Sequence, residues 1–319
     1  MKKILYCLAG ILIFMIFLVC GQNRQKTETG DLSGDISISG AFALYPITVK
    51  WAEEFRKIHP DVKINISAGG AGKGMADALS GMVDLGMFSR KVSPEEKVRG
   101  AWYIALTKDA VLPTINSNNP IIHELKIRGA DREELKHIFI EGNLKTWNEL
   151  ADGKKKYAIN VYTRSDACGA AAMWAEYLNA KQEDLLGTGV YADPGVADAV
   201  KNDKNALGYN NVIYIYDINT RKKYEHLEVL PIDLNSNDTI DEDERIYDNL
   251  DLIMQAIKEG VYPSPPAREL YFVSKGKPEN KAAIAFIQWI LTDGQKYLRD
   301  AGYVQLSETR INEELEKLK

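Results

Sequence analysis

Three short segments carry the residues best suited to chemistry. They are Ser39-Gly40-Ala41-Phe42-Ala43, Gly69-Gly70-Ala71-Gly72-Lys73-Gly74 and Arg164-Ser165-Asp166-Ala167-Cys168-Gly169-Ala170. Each places glycines or small residues where a strand pattern gives way to a helical one. Free N–H groups and the helix dipole make such helix starts favourable to anions. Glycine lets the backbone approach a ligand closely. Arg164 adds a rigid fork of donors matched to oxyanions. Taken singly, each segment also reads as an ordinary tight turn. Three of them with an arginine point to capture of a small anion.

Other candidate chemistry is thinner. Gly72-Lys73 hints at a nucleotide-phosphate loop, but Gly74 stands where Ser or Thr belongs and Ser67 where the first glycine belongs. His59, His123, His137 and His226 are scattered and give no metal spacing. Cys168 at a helix start is a nucleophile candidate with a lowered pKa, or a small residue filling a turn. No catalytic residue is assigned, and the chain is expected not to be an enzyme. A lipid-anchored phosphoesterase is the competing enzymatic reading; it needs a nucleophile or a metal cluster, for which the sequence offers only Cys168 and scattered acids.

A separate metal pattern lies at Asp233, Asn235, Asn237, Thr239, Asp241 and Glu244. These fall at positions one, three, five, seven, nine and twelve of a calcium-loop spacing, with Ile240 at the apolar eighth place. Asp238 stands where glycine usually makes the sharp turn. The alternative is a solvated acidic loop with Asp241 or Asp243 capping a helix. No cofactor is required by this reading; a structural calcium ion is the one expectation.

The elements that must position these residues alternate in type. Asp35 to Ser39 and Val62 to Ile66 alternate as strands, and Val83 to Phe88 reads as a third. Leu44, Thr48, Trp51, Phe55 and Ile58 recur at helical spacing, and Met75 to Leu79 begins another helix. A βαβαβ unit follows, which requires a parallel sheet flanked by helices. Tyr103 to Ile115 reads as a long crossing strand. Further helices are expected at Asp131–Phe139, Ala170–Leu178, Arg245–Ile257 and Ala282–Leu291. Further strands are expected at Tyr157–Tyr162, around Ala206–Tyr216, at Leu227–Ile232 and at Leu270–Val273, the last after a proline-rich turn at Tyr262–Pro266. The fold class is α/β. Two lobes joined by two crossings are expected: 35–112 with 263–319 as lobe 1, and 113–262 as lobe 2.

Several landmarks resemble the periplasmic phosphate-binding proteins of ABC phosphate uptake systems, which have the type 2 periplasmic binding protein fold. Ile38 to Pro46 is similar to their opening Ser-Gly-Ser-Ser-Thr-Val-Phe-Pro segment. Lys50-Trp51-Ala52-Glu53, Gly69 to Gly74, Val83-Asp84 to Ser89-Arg90, Arg164 to Ala170, Ala206 to Tyr209 and Gly302-Tyr303-Val304 resemble further family segments. The resemblance implies a two-lobe clamp, each lobe a mostly parallel sheet flanked by helices, delivering phosphate to an importer permease. It implies an anion site drawn from Phe42, Ala43, Ala71, Gly72, Ser89, Arg90, Arg164, Asp166, Cys168, Gly169 and Ala170. An acidic side chain would accept the ligand's proton. Phe42, Ala43, Ala71, Cys168 and Ala170 replace family hydroxyls. Each lost hydrogen bond to a charged ligand is worth about 1.5–3 kcal/mol. A different oxyanion or organic anion, or a ligand-free sensing module, is therefore the alternative.

Composition sets the context. The chain has 319 residues, 45% hydrophobic and 27% charged, ample for two packed lobes. Met1, Lys2 and Lys3 precede an apolar run from Ile4 to Val19, as in an export signal. Cys20 ends that run and is the expected lipidation site; an uncleaved anchor helix is the alternative. Residues 21–34 read as a tether. A membrane-anchored, exported monomer is expected. Loss of Lys2 and Lys3 takes the formal charge from −5 to −7. The longest basic run, Lys154 to Lys156, reads as a solvated loop, so no nucleic-acid partner is expected. Cys168 is the single cysteine left, so no intrachain disulfide is expected.

Overall fold

The first strand, β1 (Gly34–Gly40), sits between β2 (Val62–Ala68) and β3 (Leu85–Phe88), parallel to both. Helices α1 (Tyr45–Ile58) and α2 (Ala71–Ser80) make the crossings. The βαβαβ unit read from periodicity is therefore present. The structure is a computed structural model that describes residues 32–151 and 155–319. The export-signal, Cys20 and most of the tether readings lie outside the described residues. Gly34, placed in the tether by sequence, belongs to β1, because its partner Val62 begins β2 at that register.

The alternation of Ile36 and Ile38 buries one face of β1, while α1 buries Ile47, Trp51 and Phe55. Trp51 also donates its indole N–H to the Gly294 carbonyl at 2.9 Å. Asp84 ties the unit together. It accepts from the Ser37 amide and hydroxyl and from Asn280, the N-cap of a late helix.

The long strand β4 (Ala101–Asn116) carries the crossing. Its first part pairs antiparallel with β9 (Ala267–Lys275), from Ala101 to Ala110. Its second part pairs with β7 (Ala206–Asn211), from Val111 to Ile115, and with β8 (Leu227–Val229). Beyond β7 lie β5 (Asn160–Arg164) and β6 (Thr188–Val190), parallel to each other; β5 is also parallel to β7. The strand order is β2-β1-β3-β9-β4-β7-β5-β6, with β8 beside β4. The two flanks are parallel and the centre is antiparallel. The chain from Ser33 onward forms one compact unit.

The remaining long helices are α3 (Gly169–Tyr177), α4 (Ala192–Asn202), α5 (Leu250–Glu259), α6 (Lys281–Leu291) and α7 (Glu308–Glu316). The sequence reading starts α5 at Arg245, five residues early. The Asn249 side chain accepts from the Leu252 amide at 3.0 Å and sets the true start. Strand β6 and helices α4 and α7 have no counterpart in the sequence reading. Among the described residues, no helix is long and apolar enough to cross a membrane.

Candidate functional site

Helices α1, α2 and α3 start beside one another, each directly after or near the end of a strand. Close packing dictates why glycine recurs there. A Cβ on Gly74 would lie 2.4 Å from the Met87 carbonyl oxygen, and one on Gly40 would lie 2.3 Å from the same atom. Glycine at these positions seats α2 flush against β1 and β3. The Lys73 ammonium pairs with Asp77, whose other partner is the Ser39 hydroxyl at 2.6 Å. The Gly-Lys step is thus part of a helix anchor and not a nucleotide loop.

The starts of α2 and α3 meet directly. The Gly72 amide donates to the Ala167 carbonyl at 3.1 Å. A Cβ on Gly70 would stand 2.9 Å from Asp166 Oδ2, and Gly70 has φ 87°, so glycine is required twice over. A Cβ on Gly169 would clash with Ser89 at 2.2 Å. Gln182 pins the intervening turn, donating to the Asp166 carbonyl at 2.8 Å and accepting from the Cys168 amide at 3.2 Å.

Arg164 is the centre of the arrangement. Its side chain is 1% exposed. Nε and Nη2 donate to the two Asp166 oxygens at 2.8 and 2.6 Å, and Nη1 donates to Asp193 Oδ2 at 2.6 Å. Three of the five guanidinium N–H groups are used, leaving two. The Phe42 ring lies over the guanidinium, 5.7 Å from its centroid. Burial pulls the Arg164 pKa down, but the neighbouring carboxylates, Asp193 foremost, outweigh it and the group stays charged. Burial raises the Asp193 pKa against the pull of Arg164.

Asp193 extends the polar chain. Its Oδ1 accepts from Asn211 at 2.6 Å, and Asn211 accepts from Arg268. Arg268 in turn donates to Asp109 at 3.0 Å. All four of these side chains are buried. Three aspartates face two arginines, so the chain carries one negative charge in excess. Burial pushes the Asp109 carboxyl up to about 6, with Arg268 partly offsetting it.

Phe42, Ala43, Ala71, Gly72, Ser89, Arg164, Asp166, Cys168, Gly169 and Ala170 are gathered here. Ala43, Ala71, Ser89, Arg164, Cys168 and Ala170 are buried. Ala43 is tied by its carbonyl, which accepts from the Tyr303 hydroxyl at 2.7 Å. Helix starts leave amides without intrahelical acceptors; in the first turn of α2 the Gly72 amide is taken by the Ala167 carbonyl, and in that of α3 the Ala171 amide is taken by Cys168 Sγ. Arg90 is held otherwise. It makes a two-pronged pair with Glu96 at 3.0 and 2.7 Å and stacks on Phe88 at 4.5 Å. It reaches the group only as a wall of a cavity of about 400 Å³ that Gly72, Ala167 and Cys168 also line.

Cys168 is a buried free thiol whose sulfur accepts from the Ala171 amide at 3.4 Å. Burial pushes its pKa up to about 12, opposite to the lowered value that a helix start alone suggests. It caps α3 and is poorly suited to act as a thiolate nucleophile.

Sequence reasoning missed Asp193, Asn211, Arg268 and Asp109. The usable signal was Asn210-Asn211 inside an otherwise apolar strand. A buried polar pair needs partners. Ala192 carries no such signal in the sequence, yet it adopts φ 64°, a strained left-handed conformation, and its amide donates to Asp166 Oδ1 at 3.2 Å.

Comparison with known proteins places the fold. Residues 25–294 match the family model described as a PBP superfamily domain. The phosphate-binding protein PstS of Staphylococcus aureus (strain USA300) is 25% identical over 307 residues, covering 94% of this chain and 87% of its own. Two solved structures share the fold. A phosphate ABC transporter substrate-binding protein from Clostridium perfringens aligns with a TM-score of 0.70 at 23% identity, over 86% of this chain and all of its own. An ABC-type phosphate transport receptor from Vibrio cholerae aligns at 0.62 and 17% identity, over 85% of this chain and all of its own. The α/β fold expected from sequence is therefore that of the type 2 periplasmic binding proteins, and the chain belongs to the PBP superfamily domain family as a homologue of the PstS phosphate-binding proteins.

Proposed function

We propose that this protein is an extracytoplasmic solute-binding subunit of an ABC importer that captures a phosphate-sized, proton-bearing oxyanion in a cleft at Arg164. Arg164 is the observation that carries the reading: a buried guanidinium with two spare N–H groups, set where three helices begin. The names of the homologues support phosphate as the ligand. Backbone amides and Arg164 supply the donors. The excess of carboxylate supplies acceptors and repels an anion that has no proton to share. Monohydrogen or dihydrogen phosphate meets that requirement and sulfate does not. The protein binds and releases without turnover, is held at the membrane through Cys20, and passes its cargo to a permease as a monomer.

One observation favours a second reading. Three Arg164 N–H groups are already bound by Asp166 and Asp193, and Ala43, Ala71, Cys168 and Ala170 offer no hydroxyl. A ligand-free interaction module would look like this. Thermal melting across phosphate, sulfate, molybdate and small carboxylates separates the two, because a ligand of the folded state must raise Tm. A rise with phosphate and none with sulfate is expected. A flat Tm across the panel selects the second reading.

A further inference from the structure

The chain enters the fold at one end of the sheet. Gly34 opens β1 beside Val62, the first residue of β2. Strands β3 and β4 begin at that same end, and β9, antiparallel to both, finishes there with Lys275 opposite Ala101. Helices α1 and α2 connect parallel strands, so they run back and end there too. Asn280, which caps α6, joins them by donating to the Asp35 carbonyl at 2.8 Å.

This end is basic in a chain whose formal charge is −5. The segments that meet here, 33–35, 56–63, 81–84, 97–101 and 275–281, carry eight Lys and Arg against four Asp and Glu. Asp84, one of the four, is spent on Ser37 and Asn280. Lys57 pairs with Glu54 at 2.7 Å. Lys63, Arg99, Lys275, Lys277 and Lys281 are exposed and, among the described residues, make no ion pair. Apolar side chains stand among them. Val98 at 88% and Met82 at 73% are the two most exposed large hydrophobics of the described residues, and Ile58 at 57% ends α1.

The charge is reversed beside the second half of β4. The loop 233–244 follows β8, which pairs with Thr114 to Asn116, and its Ile240 amide donates to the Ile127 carbonyl at 2.7 Å. It holds six carboxylates and no Lys or Arg. Asp241 and Glu244 form the capping box of the turn Glu242–Glu244. Among the described residues no three acids are grouped to hold a metal, so the calcium spacing read from the sequence does not assemble a site. What the loop contributes is negative charge, placed beside the exposed Ile127.

We propose that the basic end of the sheet is a membrane-contact surface that rests on an anionic bilayer, with Met82 and Val98 entering the headgroup layer and the lysines meeting lipid phosphates. The inference rests on the proposed anchor at Cys20. Gly34 lies fourteen residues after Cys20, and a chain of that length spans about 50 Å at full stretch. The anchor is thereby joined to the basic end. Each Lys or Arg near an anionic surface raises partitioning about fivefold, within a Debye length of about 10 Å at 0.1 M salt. Exposed apolar side chains among basic ones add to such binding. The acidic loop is repelled by the same surface, so the molecule takes one orientation. Helix α1 is 14 residues long, about 21 Å. The Arg164 group, beside the start of α1, stands off the bilayer by about that length and stays open to solute.

The test uses full-length protein mixed with vesicles, a bimane label on Met82→Cys or on Ile127→Cys, and a nitroxide headgroup lipid as quencher. Cys168 is buried, and the unsubstituted protein treated alike gives the blank. On vesicles containing phosphatidylglycerol, quenching at position 82 should exceed that at 127 by about threefold or more at about 0.1 M salt, and the difference should collapse at about 1 M. Vesicles of phosphatidylcholine alone should quench both positions weakly. Lys277→Glu combined with Lys281→Glu should cut quenching at position 82 by about threefold or more. Equal quenching at the two positions, or quenching at 82 that ignores phosphatidylglycerol and the charge reversals, overturns the inference; if the protein still floats with the vesicles, the anchor stands. Failure to float with them overturns the anchor and this inference together.

Discussion

Arg164 and Arg268 lie on one buried polar chain, yet their surroundings differ. Arg164 has two carboxylates and an aromatic ring around it, and three helix starts beside it. Arg268 has one carboxylate and one amide oxygen, and its Nη1 is buried without a partner. Arg164 ends β5, whereas Arg268 comes from β9, the return crossing that pairs with β4. On the proposed function, the difference separates a ligand-facing arginine from a framework arginine. Arg164 is over-supplied with counter-charge, which in the proposed function requires a ligand that brings a proton. Arg268 is under-supplied with acceptors and serves to neutralise Asp109 beneath the crossing.

The contrast breaks most sharply at Arg268. Arg268→Ala leaves Asp109 buried without its partner and should cost about 3–5 kcal/mol of stability, read by denaturant unfolding. The paired change Arg268→Met with Asp109→Leu should recover most of that loss. Failure of the pair to recover it would show that Arg268 does more than neutralise Asp109. At Arg164 the balance runs the other way. Asp193→Asn removes one of the competing carboxylates and should tighten phosphate binding by about tenfold or more, at a stability cost of about 1–3 kcal/mol. Weaker binding in that variant would instead make Asp193 the residue that positions Arg164.

The smallest effect is in pH. The folded state binds the Asp109 proton more tightly than the unfolded chain, where aspartate titrates near about 3.9. With the folded value at about 6, this group's stabilising contribution is present below the unfolded value and is lost as pH rises through that window. Asp109→Asn should flatten that part of the Tm profile between about pH 4 and 6. An unchanged profile would assign the slope to other carboxylates.

The same pair of arginines marks what was legible in the sequence. Arg164 stood in a motif of glycines and small residues, and its neighbours Asp166, Cys168 and Gly169 were adjacent in the chain. The βαβαβ unit was legible because its periods are long and its turns are rich in glycine. Arg268 lies between Ala267 and Glu269 in a strand, and its partners Asp109 and Asn211 are far away in sequence. Only the antiparallel centre of the sheet brings β4, β7 and β9 together. Helix α4 was also unread, since Pro194 and Gly195 in its first turn read as a turn. Arg90 was placed by sequence among the candidate ligands. Its engagement with Glu96 depends on the short capped helix Pro94–Val98, whose Ser93–Glu96 capping box was itself readable.

The most direct test is calorimetric titration of refolded, ligand-stripped protein with phosphate and with sulfate, alongside Arg164→Ala. One phosphate site, no heat with sulfate, and loss of the phosphate signal in the variant are expected. Sulfate binding as tight as phosphate, or phosphate binding that survives Arg164→Ala, would contradict it.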